Sequence, residues 1–354
     1  MGAGGDPARS ALRGLRPALA GVGLAVAVGL LALGGADGDT LAAGERTNSA
    51  AGLPAGLASW HALPAQKDER GQPLSRQPRA LAWNGRDLFV ADRAAVILRY
   101  LLSGENDELV LVNHWEMPEA RNGNPAALCW DPTDAAGFGA GTLLIGETHY
   151  GRISRYDADG ELLDQFGRAG NAPGELSRIQ GVEVTPAGDI LVVETYAHTE
   201  RVQVFDANGV WLKRWGGPGA EPGRFNRPRA VKLSPAGEVM IADSANHRVQ
   251  VFDLEGELLR VLTPPELRYP FDLAFDGAGR LHIVELTGSR VLRLEADGAV
   301  TSACAPGAGV GRLAQPWGVE VTTEGLVFVA DTGNDRLVWF RLDDEPATGE
   351  GDAR

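Results

Sequence analysis

Apolar and polar positions alternate along most of this chain in runs of five or six residues, and the runs stop at Gly, Asn or Asp. In residues 248–253 (RVQVFD), Val249 and Val251 alternate with Arg248 and Gln250 before Phe252 and Asp253 end the run. A period of two marks a strand with one covered face, and stops of this composition are tight turns. One complete unit is legible around that run. Residues 230–235 form a first strand, 239–243 a second strand ending in an acid, 248–253 a third and 257–262 a fourth, with short turns at 236–238 and 254–256 and a loop at 244–247.

The unit recurs. Aligning the chain on its apolar-then-acid step gives Asp92, Glu147, Glu194, Asp243, Glu285 and Asp331, spaced by 55, 47, 49, 42 and 46 residues. Four antiparallel strands with their turns occupy that length, and such units stack about an axis as propeller blades. The expected fold is all-β, a six-bladed β-propeller over residues 57–343. The last period supplies only three strands before the acidic segment 344–354 (DEPATGEGDAR), expected to be disordered. An open blade edge invites mispairing. Residues 57–65 (LASWHALPA) resemble the fourth strand of the first period (LVNHWEMPE), so an N-terminal strand is expected to close the last blade.

The repeated words themselves carry a resemblance. The run NHRVQVFD after IAD, preceded by GRFNRP at 223–228 and by GELSRI at 174–179, resembles the NHL repeat, whose members fold as β-propellers. The likeness is close over residues 147–260, fair at 314–342 and weak in the first and fifth periods.

Outside the repeats, Arg9, Arg13 and Arg16 precede an apolar run at 17–35 that is long for a signal-peptide core and short for a membrane span. Residues 1–36 are therefore expected to be a signal peptide or a signal-anchor helix, and 37–56 a flexible linker. The rest of the chain would be exported, periplasmic or anchored to the inner membrane and facing the periplasm. A formal charge of −14 argues against nucleic acid, which needs a Lys/Arg surface. Cys129 and Cys304 fall in blades two and five, on opposite sides of a six-fold ring, beyond the roughly 7 Å reach of a disulfide, so two free thiols are expected.

Candidate chemistry gathers at one end of the axis. In this strand order the start of each first strand and the end of each second strand share a face. The residues entering the first strands are Arg79, Ala126, Gln180, Arg229, Phe271 and Trp317. Arg79 and Arg229 belong to opposite blades and Phe271 with Trp317 make an aromatic wall. Together they suit an anionic group on an apolar or sugar-like body, unless the arginines merely pair with neighbouring acids such as Glu147 or Glu194. Glu147, Glu194 and Glu285 are longer than the Asp of the other blades and are candidates for a cation, calcium by its oxygen preference, or a substrate amine; the alternative is a structural carboxylate. Tyr150 and Tyr196 offer phenols beside the same mouth. His149, His198 and His247 lie in three successive second-to-third strand loops. The NHL resemblance brings in the peptidyl-hydroxyglycine lyases, which hold zinc with channel-mouth histidines, so these three are the candidate metal ligands.

Two functions follow. The first is an exported, monomeric propeller that binds a small ligand or a protein or peptide partner at the channel mouth without chemistry of its own. The alternative is a metal-dependent lyase or hydrolase, similar to the peptidyl-hydroxyglycine lyases, with its site at that mouth. No G-x-S-x-G, C-x-x-C, H-E-x-x-H or phosphate-loop motif is present.

Overall fold

Burial explains which strands read as alternating and which as continuous apolar runs. Every residue of the second strands, such as Val239–Asp243 and Leu326–Asp331, is buried, because both faces are covered by other strands. The outer strands Leu162–Phe166 and Leu258–Leu262 have no fully buried residue, because only one side of each is covered. The computed structural model describes residues 46–47 and 53–342, apart from 55, 69, 72, 105–106, 119–124, 140, 197 and 296. The expected signal or anchor helix at 1–36 and the acidic tail at 344–354 lie outside the described residues. None of the described helices is long and apolar enough to cross a membrane.

The strands make six antiparallel blades. Blade one is Pro78–Trp83, Asp87–Asp92, Val96–Ser103 and Glu108–Glu116. Blade two is Pro125–Asp131, Thr142–Glu147, Arg152–Tyr156 and Leu162–Phe166. Blade three is Ile179–Val184, Ile190–Glu194, Arg201–Phe205 and Trp211–Gly216. Blade four is Pro228–Leu233, Val239–Asp243, Arg248–Phe252 and Leu258–Leu262. Blade five is Pro270–Phe275, Leu281–Glu285, Arg290–Leu294 and Val300–Ala303. Blade six takes Gly318–Val321, Leu326–Asp331 and Arg336–Arg341 from the end of the chain and Trp60–Pro64 from its beginning.

The N-terminal strand thus closes the ring as the sequence led us to expect. His61 pairs with Trp339 and Leu63 with Leu337, and Trp60 stacks on Phe340 with ring centroids 5.5 Å apart. Arg46–Thr47, within the stretch expected to be a linker, adds a short strand outside it. Leu57 bridges Leu342, so the closing strand enters blade six at the end away from the strand-two acids.

Six apolar cores sit in the seams between blades, one per seam. Leu81 and Val90 of blade one pack with Phe328 and Trp339 of blade six, and the other seams are filled in the same way. Each inner strand touches the inner strands on either side, with Gly318–Val321 returning to Pro78–Trp83. Hydroxyls placed just after the acids stitch alternate seams: Thr148 donates to Ile179 O at 3.1 Å, Ser244 to Pro270 O at 2.5 Å and Thr332 to Pro78 O at 2.6 Å. Cys129 and Cys304 are both unpaired, Cys129 buried in the inner strand of blade two.

Candidate functional site at the axial mouth

A bulge sets the rim. In blades one, two, three and five the pairing of the first two strands slips by one residue at Arg79, Ala126, Gln180 and Phe271, and blade four slips beside Arg229. A bulge tilts its side chain out of the regular pleat, here toward the axis. Trp317 takes the corresponding place just before Gly318–Val321. All six side chains line one axial cavity, as their position at the strand starts implies.

Below the rim the ring is tight. The next position is Ala80, Ala127, Gly181, Ala230 and Gly318. A Cβ on Gly318 would lie 2.6 Å from Arg79 O, and one on Gly181 would lie 2.9 Å from Val231 N. Backbones of neighbouring blades meet here, which is why the layer is built from the smallest residues. Asp272 is the exception; its Oδ2 accepts the Val319 N–H at 3.0 Å and ties blade five to blade six. One layer deeper Lys232 Nζ lies 3.1 Å from Glu320 Oε2 and 3.8 Å from Glu183 Oε2. The enclosed space between these layers is about 40 Å³, room for water rather than for a ligand.

Burial governs the charges of this floor. It pushes Glu183 up to about 7, with Lys232 opposing and Glu320 and Asp272 reinforcing the shift. Asp272 is likewise pushed up to about 7, by burial first and against its backbone donors Val319 and Leu273. Burial works against the Lys232 ammonium, but Glu320 and Glu183 outweigh it and raise its pKa.

The rim itself is an arc of alternating cations and rings. The Arg79 guanidinium carbon lies 4.5 Å from the centroid of Trp317, Trp317 lies 5.0 Å from Phe271, and Phe271 lies 4.7 Å from the Arg229 guanidinium carbon. Arg229 Nη1 donates to Gln180 Oε1 at 2.5 Å, and its buried Nε has no partner among the described residues. Burial and the nearby Arg93 bring Arg79 down to about 10 against the neighbouring Asp92, and burial also lowers Arg229 against its hydrogen bond to Tyr269, with Arg178 and Arg227 adding repulsion. Both remain cations at neutral pH.

Opposite the arc, where the rim residues are the smaller Ala126 and Gln180, a cavity of about 570 Å³ opens outward. Arg79, Arg178, Arg229, His149, Tyr196, Trp317, Thr148 and Ser177 are among its walls, and among the described residues no Asp or Glu is. Arg178 comes from the αL residue that precedes the inner strand of blade three (φ 47°) and lies 5.5 Å from the Tyr196 ring centroid.

Other expected site residues are placed elsewhere. Glu147, Glu194 and Glu285 do not reach the axis. All are fully buried, and each is taken by the arginine that opens the third strand of its own blade: Arg152 at 2.9 Å, Arg201 at 2.8 Å and Arg290 at 2.5 Å. Asp243 and Asp331 pair in the same way with Arg248 and Arg336. Four of these acids also accept a backbone N–H from the loop ahead of their inner strand: Ser177 to Glu194, Asn226 to Asp243, Arg268 to Glu285 and Ala314 to Asp331. These carboxylates are staples, and Glu147 and Glu194 are therefore not the counter-ions of the rim arginines. Tyr150 packs under Arg152 instead of facing the mouth.

The three histidines do not converge. His149 lines the mouth cavity, His198 a separate cavity of about 360 Å³ with Trp215 and Arg224, and His247 sits edge-on to Tyr269 at 6.3 Å. His247 has an αL backbone (φ 55°) and its N–H closes the short helix Ser244–Asn246, so its position serves the loop. Among the described residues no three His, Cys, Asp or Glu side chains gather to hold a metal ion. Sequence reasoning missed Arg178 and the floor of Glu183, Lys232, Asp272 and Glu320. The signal available for the floor was charge at inner-strand positions that are otherwise Ala, Cys or Gly.

Fold and rim together define a closed propeller with an axial mouth lined by arginines and aromatic rings. The NHL repeat profile matches residues 225–252 and 313–340, the first three strands of blades four and six with the loop residues ahead of them, so these two blades of the propeller carry NHL repeats. No curated protein matches the sequence. Among solved structures, it is similar to a streptogramin B lyase at 13% identity and a TM-score of 0.54, covering 80% of this chain and 98% of that one. It is also similar to a catalytically inactive virginiamycin B lyase from Staphylococcus aureus with quinupristin, at 15% identity and a TM-score of 0.54, covering 80% and 99%. A gluconolactonase from Xanthomonas campestris aligns at 16% identity and a TM-score of 0.59, covering 82% and 91%. At such identities the likeness is one of fold.

Proposed function

We propose that this chain is an exported propeller that binds a small organic anion in the mouth cavity, without chemistry of its own. The observation that supports this most is the lining. A chain with 47 Asp and Glu against 33 Lys and Arg places three arginines and, among the described residues, no carboxylate around that cavity. Holding Arg178 and Arg229 together costs free energy in the empty protein, and an anion reverses the sign of that term. The volume falls within the roughly 300–1,000 Å³ typical of small-molecule sites. Trp317 and Tyr196 offer planar surface for the ligand body. Export rests on the N-terminal arginines and apolar run alone.

The metal-dependent lyase or hydrolase reading loses its ligand set, since His149, His198 and His247 open to different surroundings. The solved lyases and the gluconolactonase share the propeller but do not bring their reactions with them. The test is thermal unfolding of the purified protein with organic carboxylates against chloride at equal ionic strength. Carboxylates should raise the unfolding temperature, and Arg229→Gln should abolish the shift. No shift beyond chloride would overturn the reading.

A further inference from the structure

Resting on that reading, we propose that the mouth takes a ligand with at least two anionic groups, one seated on Arg79 and another on the Arg178–Arg229 side. The cations are separately anchored. Arg79, from blade one, lies against Trp317 of blade six. Arg229, from blade four, lies against Phe271 of blade five and is tied to Gln180. Arg178, from blade three, neighbours Tyr196. A stacked guanidinium offers its N–H edges and not its face to an acceptor. Arg79 and Arg229 stand at the two ends of an aromatic pair, Trp317 and Phe271, each stacked on its own ring.

The donors also outnumber what one anion can accept. Arg229 is already engaged by Gln180 and Tyr269, while Arg178 makes no side-chain hydrogen bond or ion pair among the described residues. A carboxylate accepts one guanidinium edge in bidentate fashion. A monoanion on the Arg178–Arg229 side would leave the Arg79 end of the cavity, and most of its volume, to water. Hydroxyls of Thr148 and Ser177 between the ends suit polar groups along the ligand body.

Calorimetric titration of the full chain at fixed ionic strength tests this with matched pairs: succinate against butanoate, glutarate against pentanoate, adipate against hexanoate. At least one dianion should bind about tenfold or more tighter than its monoanion, and should lose affinity more steeply with salt. Arg79→Gln should erase most of that difference, because the second anionic group loses its cation. If every dianion binds within about twofold of its monoanion, and both lose binding in Arg229→Gln, the two-anion proposal falls while the mouth site stands. If none of the six compounds binds, or binding survives Arg79→Gln and Arg229→Gln together, both readings fall.

Discussion

Trp317 and Arg79 face each other across the seam that joins the last blade to the first, the guanidinium carbon 4.5 Å from the indole centroid. The contact therefore reports on ring closure and on the rim at once. Trp317→Ala should weaken binding of organic anions about tenfold, since a partly desolvated cation–π contact is worth roughly 1–2 kcal/mol. It should leave the circular dichroism spectrum unchanged. Titration calorimetry checks it, and unaltered affinity would show that Arg79 is oriented by something else.

The clasp of blade six should dominate global stability. Trp60 is 2% exposed and lies on Phe340, so Trp60→Ala should cost about 3–5 kcal/mol. Deleting residues 57–66 should lower the unfolding temperature further, because it bares the edge of Arg336–Arg341. A thermal melt that does not move would refute the clasp.

The acid–arginine staple should be costly to break from one side. Asp243 is fully buried and takes Arg248 at 2.7 Å, so Arg248→Met should destabilise by about 3–5 kcal/mol, leaving a carboxylate without its cation. Asp243→Asn combined with Arg248→Met should recover part of that loss. Urea titration of both variants decides it; equal stability of the single and double variants would contradict the coupling.

Close backbone approach makes Gly318 intolerant of a methyl group. Gly318→Ala places carbon 2.6 Å from Arg79 O and should cost about 1–3 kcal/mol through displacement of an inner strand. The same change should reduce anion affinity, because Arg79 moves with its backbone. Unchanged melting and binding would mean that the ring is looser than it is drawn here.

Channel acidity predicts a pH dependence. Burial holds Glu183 and Asp272 up at about 7, against ordinary values of 4.5 and 3.8. Between those limits the native chain binds more protons than the unfolded one, so stability falls as pH rises through the window and the full cost is present above 7. Glu183→Gln should be nearly neutral at pH 5 and stabilise by about 1–2 kcal/mol at pH 8, some of the gain being offset by lost attraction to Lys232. Melts at the two pH values test the sign. Destabilisation at pH 8 would show that Lys232 needs the ionised Glu183.

Strand pattern, period and ring size were written in the sequence because each is local. The spacing of Asp92 through Asp331 counts the blades, the Gly and Asp turns end the strands, and an unclosed last blade demands the N-terminal strand. The rim set from Arg79 to Trp317 was legible for the same reason, since a repeat places equivalent positions on one circle. What the repeat could not show is where a side chain turns once it arrives. Glu147 and Glu194 lie one strand from the axis, and whether a carboxylate faces the channel or an arginine five or seven residues on depends on desolvation, which only packing imposes. Arg178 joined the site through a single αL backbone angle, and Glu183, Lys232 and Glu320 met because three blades bring equivalent positions to one axis. Local sequence wrote the frame; contacts between residues distant in the chain decided which charges were buried as staples and which were left to meet a ligand.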